Sequence, residues 1–126
     1  QKLTHPVGVA FNAKEELFVS DSHLHQVLVF DREGGYLRSI GMHGSLPGQF
    51  FNPQGIAVTP EGHLLVCDQG NHRVQELLED GTYVRSIGSL GKTEGLLESP
   101  FDVAVWRDGS IAVADNGFSQ SYYLNY

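Results

Sequence analysis

The chain has 126 residues and carries 8 Lys and Arg against 15 Asp and Glu, a formal net charge of −7 with neutral histidines. That balance excludes a broadly basic surface for nucleic acid, and the single cysteine, Cys67, excludes an intrachain disulfide and fits a reducing, cytoplasmic setting. No apolar run approaches the roughly 18 residues that span a bilayer, and no secretory-type apolar segment opens the sequence.

In chain order, Pro6-Val7-Gly8-Val9-Ala10 opens a first unit, and Leu17-Phe18-Val19-Ser20-Asp21 follows as a nearly continuous apolar strand of the kind buried on both faces. The polar stretch His23-Leu24-His25-Gln26 turns the chain, Tyr36-Leu37-Arg38-Ser39-Ile40 forms an outer strand, and Gly41–Phe50 is a linker. The second unit is the most complete. Gly55-Ile56-Ala57-Val58-Thr59 is a β-branched strand broken by Pro60-Glu61-Gly62. Leu64-Leu65-Val66-Cys67-Asp68 is its buried strand, and Gln69-Gly70-Asn71-His72 the next turn. Arg73–Leu78 is a more polar strand, Glu79-Asp80-Gly81 a hairpin turn, and Tyr83–Ile87 a fourth strand. The third unit repeats Pro100–Ala104 and Ile111–Asp115. Phe118-Ser119-Gln120 then departs from the turn pattern, and the tail Ser121–Tyr126 has no counterpart, so this unit is expected to lack its outer two strands.

Pro6, Pro53 and Pro100 stand at one interval of 47 residues, and so do Asp21, Asp68 and Asp115. A fixed period in the range of roughly 20–50 residues marks a repeat architecture whose units cannot bury their apolar faces alone. Short antiparallel strands of falling hydrophobicity, joined by tight turns, describe propeller blades. The fold class is therefore all-β, a partial β-propeller of about two and a half four-stranded blades. Residues 1–52 form the first blade and linker, 53–99 the second, and 100–126 a partial third. Such a piece of a ring is expected to expose sheet edges and to self-associate.

Pro53-Gln54-Gly55-Ile56-Ala57-Val58, Leu65-Val66-Cys67-Asp68, Gly70-Asn71-His72-Arg73-Val74-Gln75 and Ser86-Ile87-Gly88 together resemble an NHL repeat. The resemblance extends from residue 6 to about 118, and the linker and Asn-His-Arg turn are similar to those of the NHL domains of tripartite-motif proteins. It implies a binding scaffold without cofactor, in which the segment itself is no enzyme, although the parent of such a domain can be an E3 ubiquitin ligase whose substrates the propeller recognises. His23-Leu24-His25-Gln26 and Asp102 depart from the pattern of the second copy, where Gly70-Asn71-His72-Arg73 and Gly55 stand.

Alternating strand directions bring the second-to-third-strand turns and the blade-to-blade linkers to one face. From this face we take His23, His25, His43, Phe50, Asn71, His72, Arg73, Lys92 and Phe118 as binding candidates for a protein or peptide ligand, because mixed aromatic, Arg and apolar side chains suit such a partner. The recurring aspartates read either as an acidic ring or as turn carboxylates accepting backbone N–H groups, and their presence in every unit favours the second. Cys67 aligns with Ser20 and Ala114, so a small residue is needed there for packing. Two further functions compete. Single-stranded RNA binding, which the same family performs, is disfavoured because only Arg73 and Lys92 supply positive charge on the chosen face. The resemblance also reaches metal-dependent propeller lyases acting on peptidyl-hydroxyglycine, but His23 and His25 lie in a loop without further ligands, so no metal is expected.

Overall fold

The computed structural model describes residues 2–88, 97–116 and 120–124, the last as backbone. Among the described residues eleven strands run β1 (Pro6–Phe11), β2 (Leu17–Asp21), β3 (Gln26–Phe30), β4 (Tyr36–Ile40), β5 (Pro53–Val58), β6 (Leu64–Asp68), β7 (Arg73–Leu77), β8 (Tyr83–Ile87), β9 (Pro100–Val105), β10 (Ile111–Asp115) and β11 (Gln120–Leu124). They form antiparallel sheets in the orders β1-β2-β3-β4, β5-β6-β7-β8 and β9-β10-β11, so each sheet is a meander of sequential hairpins. Between β6 and β7 the turn closes as one 3₁₀ turn, Gln69–Asn71.

The third unit differs from expectation. β11 pairs with β10 in the register Ile111↔Leu124 through Asp115↔Gln120, giving this blade three strands. Gln120–Leu124 stands 47 residues after Arg73–Leu77, so the period places the strand where the altered turn sequence concealed it.

The blades meet through their faces, and the two cores lie in the seams between them. Ala10, Phe18, Val27, Val29 and Ile40 of the first blade pack on Ile56, Val58, Leu64, Val66 and Leu77 of the second. The opposite face of the second blade offers Ala57, Leu65, Cys67, Val74 and Ile87 to Val103, Val105, Ile111 and Val113 of the third. Each fully buried side chain of this size contributes about 1.5–3 kcal/mol relative to exposure, so the seams supply most of the favourable burial. Near the inner strands the blades approach closely enough to require glycine. A Cβ on Gly8 would lie 2.7 Å from the Gln54 carbonyl oxygen, and one on Gly55 would lie 2.8 Å from the Asp102 Cα.

Face-to-face stacking changes what the end of the array exposes. In the second and third blades Ile56 and Val103 are each 6% exposed, whereas Val9, their counterpart in the first blade, is 63% exposed and neighbouring Phe11 64%. At this end of the array a sheet face, carrying Val9 and Phe11, is left uncovered. Among the described residues no helix is long and apolar enough to cross a membrane.

Candidate functional site

The recurring aspartates end β2, β6 and β10 and are almost fully buried. Each accepts a backbone N–H from the segment entering its blade: Thr4 to Asp21 at 2.7 Å, Phe51 to Asp68 at 2.8 Å, and Glu98 to Asp115 at 2.8 Å. Asp21 also accepts N–H groups from His5, His23 and Leu24 and the Thr4 hydroxyl. Burial acts to raise the Asp21 pKa, but the N–H donors of Thr4, Leu24 and His5 and the Thr4 hydroxyl outweigh it and hold the carboxyl at about 2. The aspartates are structural carboxylates, in keeping with their recurrence in every unit. Their main load is the incoming linker, with the following loop second.

Around Asp68 the same principle is extended by side chains. Arg73 Nε donates to its Oδ2 at 2.8 Å, and Asn71 Nδ2 and Gln75 Nε2 each donate at 3.0 Å. Their remaining donors reach back to the linker: Asn71 to the Gly44 carbonyl, Arg73 to those of Leu46 and Gln49, and Gln75 to that of Gln49. Asn71 and Arg73 therefore turn inward and fasten the linker that they were expected to accompany as ligand contacts. His72, with a left-handed φ of 59°, donates from Nδ1 to the Glu98 carbonyl and fastens the next linker.

The histidines of the first blade occupy the same face. His23 stacks on His5 with centroids 4.4 Å apart, and His25 stacks on His43 at 4.1 Å. Phe51 leans against both His25 and His43, at 5.9 and 5.2 Å. His25 has φ 56°, and its Nδ1 accepts the Asn52 N–H at 3.0 Å. His23 and His25 thus diverge onto different partners. Among the described residues the His and carboxylate side chains close enough together to hold a metal ion are Glu61, His63 and Glu76, at the other end of β6. There Glu76 is hydrogen-bonded at 2.7 Å to His63 and paired at 2.7 Å with Arg85.

Phe50 requires a correction. It is fully buried in the first seam, because the linker must cap the core between the blades, and Leu97 does the same in the second. The apolar side chains that the linker does expose are Met42 at 59%, Leu46 at 64% and Phe51 at 45%. Spacing alone could not separate Phe50 from Phe51; the signal was available in the alignment of Phe50 with Leu97 across 47 residues. Lys92 and Phe118 lie outside the described residues. Cys67 is buried, and burial, with the Asp102 and Asp68 carboxylates adding to it, pushes its thiol pKa up, so it serves packing.

Sheets of sequential antiparallel strands stacked face to face, with linkers pinned at one end, define a segment of a β-propeller. Residues 50–77, within the second blade and the end of its incoming linker, match the NHL repeat family. Similar solved structures include a gluconolactonase from Xanthomonas campestris, 27% identical with a TM-score of 0.69, covering 94% of this chain and 37% of that one. Hydrazine synthase from Kuenenia stuttgartiensis is 18% identical with a TM-score of 0.67, covering 98% of this chain and 36% of that one. Virginiamycin B lyase from Staphylococcus aureus is 12% identical with a TM-score of 0.67, covering 96% of this chain and 41% of that one. The chain thus spans less than half the length of these proteins. A search of curated protein sequences returns no match.

Proposed function

We propose that this chain is part of a binding propeller whose linker face receives a protein or peptide partner, without chemistry of its own. The observation that carries the reading is the linker between the first two blades. It holds Met42, Leu46 and Phe51 in solvent while its backbone is tied down by Asp68, Asn71, Arg73 and Gln75. An apolar surface already fixed in shape gives up little conformational entropy on binding, which suits a recognition surface. The resemblance to tripartite-motif proteins extends the proposal to substrate recognition for an E3 ubiquitin ligase. Enzymes such as the gluconolactonase and the lyase use the same scaffold, and the fold alone does not transfer their activities.

Selection of a displayed peptide library on the chain tests the proposal. Enriched peptides should bind the chain and lose at least about tenfold in affinity on Leu46→Glu or Phe51→Ala, while Val84→Ser on the rim of the second blade leaves binding unchanged. Equal binding by all variants would overturn the assignment of the face. Tight, salt-sensitive retention of single-stranded RNA in a filter assay would favour the competing function. Against that function stands Arg73, whose donors are engaged by Asp68 and by the linker carbonyls.

A further inference from the structure

Two left-handed histidines, His25 and His72, sit 47 residues apart and each fastens the linker that follows its blade. They do so with opposite proton demands. His72 Nδ1 faces a carbonyl and must carry a proton, so its bond survives protonation of the ring. His25 Nδ1 faces the Asn52 N–H and must be bare. A proton there sets donor against donor, at a residue that itself holds a φ of 58°. The same proton would charge a ring stacked 4.1 Å from His43.

We infer that the Asn52-to-His25 hydrogen bond and the His25–His43 stack form an acid-released clamp on the first linker, closed at neutral pH and open in mildly acidic solution. Imidazole is the side chain whose ordinary titration falls between about pH 5 and 8, so it supplies the trigger. The groups facing His25 divide by sign. Burial comes first in lowering its pKa, then the charge of His43 and of His23, while Asp68 and Asp21 pull the other way. His5, stacked on His23, belongs to the same cluster. The balance favours neutral His25 in the folded chain. The clamp therefore contributes fully above the ordinary histidine value of about 6.5 and is lost as pH falls through the lowered one. Opening frees His43 and Phe51 from the His25 ring and loosens the linker that carries Met42 and Leu46. This last consequence for binding rests on the proposed function; the clamp itself does not.

Nuclear magnetic resonance of the 126-residue chain between about pH 8 and 5 tests the inference without a partner. His25 should titrate below about 6.5. The Asn52 amide should lose at least about tenfold of its protection, corrected for intrinsic exchange, while the Phe51 amide on Asp68 keeps its own. His43→Phe, which keeps an aromatic neighbour and removes a charge, should shift the His25 midpoint upward. A His25 midpoint at or above about 6.5, or Asn52 protection equal at both ends of the titration, would overturn the clamp. If the clamp opens but Leu46→Glu leaves peptide binding untouched, the binding assignment fails and the clamp stands. If Leu46→Glu abolishes binding and Asn52 protection is constant, the reverse holds.

Discussion

Replacing Asp21 by Asn keeps the shape and removes the charge from a carboxylate that serves five donors. Thr4 N donates at 2.7 Å, Thr4 Oγ1 at 2.9 Å, and the N–H groups of His5, His23 and Leu24 at 3.1 Å. The amide introduced by this change offers one oxygen and points an NH₂ at N–H groups. Leaving a buried donor without an acceptor costs about 1–3 kcal/mol, so the loss should be about 2–4 kcal/mol. Proton linkage through the same hydrogen bonds leads to a similar figure. The carboxyl is held at about 2 against an ordinary 3.8. At about 1.4 kcal/mol per pKa unit, and discounted for solvent screening, that is about 2 kcal/mol. Because the folded value is the lower one, this stability is present above about pH 4 and fades as pH falls through about 2. Urea unfolding followed by circular dichroism, at neutral pH and across the acid limb, should show a lower midpoint for Asp21→Asn at about pH 7. The difference from wild type should shrink towards about pH 2. Equal midpoints at neutral pH, or a difference that persists unchanged in acid, would refute the reasoning.

Other consequences can be measured on the same chain. At Gly41, with φ +87°, an added Cβ would meet the Phe50 ring at 2.5 Å; at Gly34, with φ +89°, it would meet nothing within 4 Å. Thermal melts should therefore show Gly41→Ala costing about 2–4 kcal/mol and Gly34→Ala about 1 kcal/mol, and equal losses would exclude the packing argument. Glu76 is 5% exposed and bonded at 2.7 Å to both His63 and Arg85. Glu76→Gln should cost about 2–4 kcal/mol in urea titrations, and a neutral substitution would show that the network carries no load. Self-association through the open face should fall when Val9 and Phe11 are both replaced by Lys. Light scattering that still shows oligomers would place the contact elsewhere, for instance on the edge of β11.

The blades are legible in the sequence because their signals are local and repeated. Leu64–Asp68 and Tyr83–Ile87 have in the structure the bounds that the residue pattern indicates, since apolar runs flanked by Gly-containing turns leave little choice of register. β11 is hidden because its turn lost the Asn-His-Arg sequence, although the strand kept its place in the period. The candidate site is legible only as a face. Which side chains on it are free depends on hydrogen bonds between segments about 24–27 residues apart in sequence, such as Arg73 to Gln49 and Asn71 to Gly44, and on the capping of a seam by Phe50. The His5–His23 stack is likewise out of reach, because the positions one and two periods after His5 hold Asn52 and Ser99, so no repeated side chain points to it.

The most direct test is amide hydrogen exchange at Thr4, Phe51 and Glu98, the three N–H groups donated to the recurring aspartates. If pinned linkers give the face its fixed shape, these amides exchange slowly in the folded chain, approaching the strand amides of their own blades, and Asp68→Asn speeds Phe51 without speeding Thr4. Exchange of Phe51 at the unprotected rate while β6 remains protected would show a linker that is not held, and with it no preformed binding face.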